Sequence, residues 1–332
     1  MKKITVFVLS VLVTFVSKAQ DLEEILFASK EDANKITEAY INPAMKGLIY
    51  GMNSGWYHTA KVHKKFGFDI SIGLNASIAP SEDEIITFAN LGLSNNISFS
   101  SPTSPTVIGS GDGADASITQ TYQGVALTTP SLVTLPSGIS DDLPLNAIPT
   151  PALQLSVGLP YKFDVMLRLV PEVGSDDVKG NLFGIGLKKE ITSIFGPLDK
   201  LPLHVSVLAA YSSMAVDYEI GNTLPGENQS AEFDLNSYTV QAIGSINFPI
   251  INFYAGLGYT GGKSSLKMLG EYEIEYNSIT EVINDPIDLN FNASGFRATI
   301  GTRLSLGFFK IFGDYTLQEY NTLSAGIAFS FR

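Results

Sequence analysis

The chain of 332 residues contains no cysteine, which excludes disulfide staples, thiolate-bound zinc and thiol catalysis. Only three histidines are available for acid–base or metal chemistry. Charged residues make up 16 % of the sequence, well under the roughly 25 % of soluble domains. The formal net charge of −12 lacks the basic footprint that phosphate contacts need, so nucleic acid is excluded as a partner. Disorder is excluded in turn by a hydrophobic content of 45 %. Beyond the amino terminus there is also no run of about 18 consecutive apolar residues, so no helix is expected to span a membrane.

What is present begins with a leader. Lys2 and Lys3 precede an almost unbroken apolar stretch over residues 4–16, and Ser17-Lys18-Ala19 places small residues where a signal peptide is cut. Cleavage is expected between Ala19 and Gln20, which makes residues 1–19 a signal peptide. No cysteine follows, so lipoprotein processing is excluded.

The remaining apolar residues recur at every second position. Phe66, Phe68, Ile70, Ile72, Leu74, Ala76 and Ile78 alternate with Gly67, Asp69, Ser71, Gly73, Asn75 and Ser77. This is the period of a strand with one apolar and one polar face. The pattern returns over 161–169, 203–211 and 238–248, and three times in the last forty or so residues. Strands of soluble sandwiches average about five or six residues, whereas these runs match the roughly 9–11 tilted residues that cross a bilayer. The polar faces are rich in Gly, Ser, Thr, Asn and Gln, as a closed lumen would be.

The expected fold is therefore all-β: an antiparallel transmembrane β-barrel of the outer membrane of a Gram-negative bacterium. Strands are expected near 46–58, 66–79, 84–99, 150–160, 162–172, 180–190, 202–219, 232–248, 251–273, 289–306, 309–319 and 322–331, about twelve in all. If 117–128 also crosses with a partner, the count becomes about fourteen. Leu159-Pro160-Tyr161, Phe248-Pro249-Ile250 and Gly307-Phe308 read as periplasmic turns, and the acidic connections 173–179, 220–231 and 274–288 as external loops. The stretch from Leu323 to Phe331 resembles the C-terminal assembly signal of such barrels, with Arg332 added after the aromatic.

Residues 20–44 do not alternate. Leu22, Ile25, Leu26, Ser29, Ala33, Ile36 and Tyr40 fall at helical spacing, Ser29 and Asp32 form a capping box, and Asn42-Pro43 ends the pattern. A helical plug segment is expected here, at the periplasmic mouth, ahead of a barrel spanning 45–332 with a Pro/Gly-rich insertion at 100–149. Ala28-Ser29-Lys30-Glu31-Asp32-Ala33 and Ala39-Tyr40-Ile41-Asn42-Pro43-Ala44 resemble the amino-terminal segment of FadL-like long-chain fatty-acid and hydrocarbon transporters. Gly47, Gly51, Asn53, Ser54, Gly55, Trp56 and Tyr57, with the insertion before Pro151, look more like an uncharacterised group of outer-membrane barrels related to that superfamily. The resemblance implies a plug carrying Asn42, Pro43 and Ala44 inside a fourteen-stranded barrel, and passage of hydrophobic compounds.

Charged residues on the polar strand faces, Asp69, Asp164, Arg168, His204, Arg297, Arg303 and Asp314, are expected to pair across the lumen. His204 with Ser206 is the only local arrangement suggestive of hydrolysis and no spacing supports it, so no enzyme and no cofactor are expected. Gly111-Asp112-Gly113-Ala114-Asp115 lacks the further carboxylates of a calcium loop, and no metal site is expected. His58, Lys61, His63, Lys64 and Lys65 form a basic patch that could meet lipopolysaccharide phosphates if external. Trp56, Tyr57, Tyr211, Tyr254, Tyr259 and Tyr315 are candidates for aromatic girdles. Val125, Leu132, Leu135 and Leu143 make the insertion greasy enough to line the path of a small hydrophobic ligand such as a fatty acid. The other function consistent with these features is a non-transporting barrel that serves envelope structure or binds a protein partner.

Overall fold

The computed structural model describes residues 29–122, 125–128, 133–174, 178–194, 196, 201–220, 225–276 and 279–331. The expected leader lies outside them. The first element, α1 (Lys30–Met52), is capped by Ser29, whose hydroxyl accepts from the Asp32 amide. The helix does not stop at Asn42-Pro43 as expected but continues through Pro43. Proline offers no amide to the turn behind it, and in that turn the Tyr40 carbonyl accepts from the Val107 amide at 3.0 Å. A contact distant in sequence thus holds the loosened turn.

Strand β1 (Phe68–Ile78) is followed by short strands β2 (Ile85–Thr87), β3 (Ile97–Phe99), β4 (Thr103–Pro105), β5 (Asp115–Tyr122), β6 (Val125–Thr128) and β7 (Val133–Thr134). Then come β8 (Ala147–Leu159), β9 (Phe163–Gly174), β10 (Val178–Glu190), β11 (Leu203–Glu219), β12 (Gly226–Asn247), β13 (Ile251–Tyr276), β14 (Ile279–Asn284), β15 (Ile287–Leu306), β16 (Phe309–Leu317) and β17 (Asn321–Phe331). Among the described residues, β1, β8 to β13 and β15 to β17 close an antiparallel ring of ten strands, with β14 paired on β13 above it. The barrel architecture agrees with the expectation; the expected count of about twelve or fourteen does not. Of the expected strands, 46–58 is the end of α1 and an extended segment inside the ring, while 84–99 holds only β2 and β3. The stretch 117–128 is a hairpin of β5 and β6 that pairs with β3 and β7 and not with the ring.

The turns at 160–162, 248–250 and 307–308 gather at one end, where Phe68 pairs with Phe331. The β10–β11 connection falls at this end too, whereas the connections after β1, β9, β11 and β13, with the described parts of the 79–146 insertion, fall at the other, the long-loop end. On the outer face of β12, Tyr238, Val240, Ala242, Ile246 and the following Phe248 form the apolar row, and Ser230, Glu232, Asp234 and Asn236 continue it as polar residues. The same switch occurs on β15 between Phe296 and Asn292. Below it the lumen is polar; above it Phe233, Leu235, Ile287, Leu289 and Phe291 turn inward onto α1. The period of two is kept while the apolar phase changes sides, as it must when the outer medium changes from hydrocarbon to water. Tyr211, Tyr238, Tyr259 and Phe296 mark the boundary, and the Tyr211 and Tyr259 hydroxyls donate upward to Asn236 and Ser294. Trp56, Tyr57 and Tyr254, three of the expected girdle residues, lie inside the barrel instead.

This boundary gives a test. Ile300→Arg, on the outer face below the switch, is expected to cost roughly 2–4 kcal/mol of folding stability in lipid. Asn290→Arg, on the outer face of the same strand above it, is expected to cost almost nothing. Urea titration in vesicles compares the two, and equal costs would place the boundary elsewhere.

Candidate functional site

The expectation that the plug sits at the short-turn mouth is corrected by its path. The α1 amino terminus lies at the long-loop end, where the Lys30 ammonium donates to the Asp285 carbonyl, and the helix descends toward the apolar band. Residues 53–66 then run on through the lumen to the short turns, where the Phe66 amide donates to the Gly158 carbonyl. The covalent segment ahead of β1 therefore fills the barrel along its length.

Two arginines hold it at mid-depth. The Arg168 guanidinium donates to the Met52 and Ser54 carbonyls, both at 2.9 Å, and lies 3.9 Å from the Trp56 ring centre. Arg297 donates to the Asn53 carbonyl at 2.7 Å and to the Ser54 hydroxyl at 3.1 Å. Both are buried. Their charge meets the negative end of the α1 dipole and the carbonyls that a helix leaves unpaired there. The ring wall is shaped to the plug as well: Trp56 packs on Gly184 and Gly186, and a methyl at Gly256 would collide with the Tyr57 hydroxyl. Tyr57 donates to Gln241, and Tyr254 donates to Asp314.

Nearer the short turns lies a charge cluster. His63 faces Asp69 through Nε2 at 3.0 Å and Asp164 through Nδ1 at 3.1 Å, and Lys188 sits 3.1 Å from Asp164. An imidazole placed between two carboxylates donates from both nitrogens, so His63 is the cationic partner. Arg303 donates to His58 Nδ1, which leaves the His58 Nε2 proton for Asp69. Glu190 accepts from the Val62 amide and pairs with His204 and Lys162. The Ser206 hydroxyl donates to the Ala60 carbonyl of the plug while His204 is paired with Glu190 of β10, so the two are not paired as base and nucleophile.

The charged residues named from sequence thus lie on the lumenal wall, but their partners come largely from the plug. Asn42 is half-buried on α1, and Pro43 and Ala44 are buried. Leu135 and Leu143 pack with α1 in one apolar cluster; Leu132 and the Val125 side chain lie outside the described residues. His58 and His63 belong to the lumen, and Lys64 and Lys65 are exposed at the short-turn end, so the patch is not on a long outer loop. Lys188, Glu190, Gln154 and Gln241 were not singled out from sequence, although each is polar on the inward phase of its strand. Among the described residues no group of three or more histidines and carboxylates is arranged to hold a metal ion.

At the outer end, the Asp32 carboxylate is opposed by burial but accepts from the Ser94 amide and is bonded by Ser29, and its pKa is lowered. Burial also opposes Glu319, yet Tyr50 and Lys46 hold its pKa down. Both groups therefore add stability that is complete above their unfolded values of roughly 3.9 and 4.3 and is lost as pH falls through the lower folded values. Unfolding free energy is expected to stay flat from these groups between pH 5 and 8 and to drop below about pH 4. An Asp32→Asn/Glu319→Gln variant should flatten the acid limb in a pH series of urea titrations.

A family model described as a family of unknown function, DUF6588, matches residues 1–331. The chain belongs to this family. No curated protein matches this DUF6588 chain. Among solved structures, Ail of Yersinia pestis is 11 % identical, with 81 % of this chain and 100 % of that chain covered and a TM-score of 0.28. The translocator domain of autotransporter NalP from Neisseria meningitidis is 10 % identical, covering 80 % and 88 %, with a TM-score of 0.27. A mutant of TodX, described as a monoaromatic hydrocarbon channel, is 9 % identical, covering 81 % and 68 %, with a TM-score of 0.25. Nothing about ligand or activity passes from them to this chain.

Proposed function

We propose that this protein resides in the outer membrane of a Gram-negative envelope as a barrel held shut by its own amino-terminal segment, with a structural or partner-binding role at the cell surface. The observation that carries this reading is the buried Arg168 and Arg297 clamp on the plug backbone. A clamp of this kind opposes continuous aqueous flow. Strands β12 and β13, of 22 and 26 residues, outrun the roughly 9–11 needed to cross a bilayer and raise a rigid outer body around α1. Vesicle swelling with small sugars tests it: no swelling is expected, and rapid swelling would overturn it.

A second reading, passage of small hydrophobic molecules as in FadL-like transporters, draws on one feature. A groove of about 500 Å³ opens on the outer wall between Phe253, Ile300, Tyr315 and Leu323, over Gly301 and Gly313. Gly313, whose Cβ position is open, leaves the outer face low there, which suits an apolar molecule entering from the bilayer. Gly313→Leu would fill the groove. Loss of uptake of a fluorescent fatty acid in that variant would favour this reading, and no uptake by the unmodified protein would remove it.

A further inference from the structure

The described residues around the short-turn end contain three carboxylates, Asp69, Asp164 and Glu190, and all three are buried and turned into the lumen. Their charge is met within the barrel, by His58 and His63 of the plug and by Lys188, His204 and Lys162 of the wall and its turn. Lys61, Lys64 and Lys65 are exposed on the same end, beside Lys162 on Glu190, so its outer surface is cationic on a chain whose net charge is −12. The exposed carboxylates among the described residues, such as Glu227, Asp234 and Glu271, stand at the opposite end. Among the described residues, exposed negative charge is therefore confined to the long-loop end, while exposed lysines occur at both ends.

The turn tips add a second observation. Phe66, Tyr161 and Phe308 are 59 %, 85 % and 61 % exposed. Each continues an outward row of its strand beyond Phe68, Phe163 and Leu306, so hydrocarbon, aromatic ring and ammonium follow one another along the wall. The Lys65 ammonium lies 5.2 Å from the Phe66 ring centre. These residues are also kept in backbone conformations that do not suit them: Phe66, Tyr161 and Lys162 have φ of 62°, 64° and 60°. Two successive residues at positive φ make a turn that Asn-Gly adopts freely and that Tyr161-Lys162 adopts under strain. Folding alone would favour the smaller pair, so the strain points to a use for a large ring and a cation at this tip.

We propose that the short-turn end is a binding surface for the anionic headgroups of bilayer phospholipids, with the lysines taking the phosphates and the tip aromatics lying at the headgroup level. This rests on the reading of the chain as a membrane-embedded barrel. Interfacial aromatics anchor at that depth, and basic side chains beside a bilayer attract anionic lipid. An acidic protein partner would use the lysines but would leave the outward aromatic rows, continuous with the apolar band, without a role.

The test is lipid retention measured by native mass spectrometry on the full chain, released from mixed micelles holding equal phosphatidylglycerol and phosphatidylcholine. A preference for phosphatidylglycerol of roughly fivefold or more is expected, falling toward unity in high salt and in Lys61→Gln/Lys64→Gln/Lys65→Gln. Tyr161→Asn, which leaves Lys162 on Glu190, should raise resistance to urea unfolding while weakening the preference, which separates lipid contact from fold integrity. Equal retention of both lipids by a protein that inserts into neutral bilayers would overturn this proposal alone. A preference that persists in the triple variant would also overturn it. Failure to insert into either bilayer would overturn the membrane reading beneath it.

Discussion

In a planar bilayer, the Arg168→Ala/Arg297→Ala variant is expected to show bursts of ion conductance that the unmodified protein does not show. Each substitution removes a buried cation from the last carbonyls of α1 and leaves them unpaired in the lumen. A hydrogen bond to a charged group is worth about 1.5–3 kcal/mol, and the two side chains supply several. The expected consequence is local release of residues 53–66, since the ring itself is held by strand pairing along its whole circumference. Hydrogen exchange should accelerate at the amides of 53–60 and not in β15 or β9. Silence of the double variant would mean that the lower charge cluster and the glycine-fitted aromatics suffice to keep the plug seated.

The second large effect is expected at Asp164. Asp164→Ala removes the carboxylate 3.1 Å from Lys188 and leaves the ammonium on the Thr59 and Lys61 carbonyls, both at 3.3 Å. Lys188 is 3 % exposed, so water cannot replace the lost partner. Breaking one member of a buried pair costs about 3–5 kcal/mol, and His63 loses two bonds besides. Asp164→Ala/Lys188→Met should recover part of that loss, because the stranded charge is then gone. Urea titration of the two single variants and the double variant in micelles reads the coupling; additive costs would show that the pair does not act as one unit.

Much of the barrel was legible in the sequence because strand alternation is a local property. Phe68, Ile70, Ile72, Leu167, Val207, Ile300 and Leu304 are on the outer face, as the period of two implies. The staves misread at 46–58 and 84–99 failed for the same reason that the rest succeeded. Inside a barrel, α1 is apolar toward the upper wall and needs no regular polar face, and Pro43 suggests an end that a remote contact with Val107 makes unnecessary. The change of phase along β12 and β15 was also hidden, since alternation alone does not report which face is which.

The site was legible only by halves. Asp69, Asp164, Arg168 and Arg297 stand out as charges on polar faces, but their meaning comes from His58, His63 and the Met52 to Ser54 carbonyls, which reach Asp164, Arg168 and Arg297 across 101 to 244 residues of sequence. No spacing encodes a contact between a plug backbone and strands as far along the chain as β9 and β15.

The central claim is that the amino-terminal segment closes the barrel. Single-channel recording on the unmodified chain tests it most directly. The arrangement predicts a silent bilayer at moderate voltage, with only brief events when the field displaces the plug. A stable, ohmic open pore in the unmodified protein would contradict it.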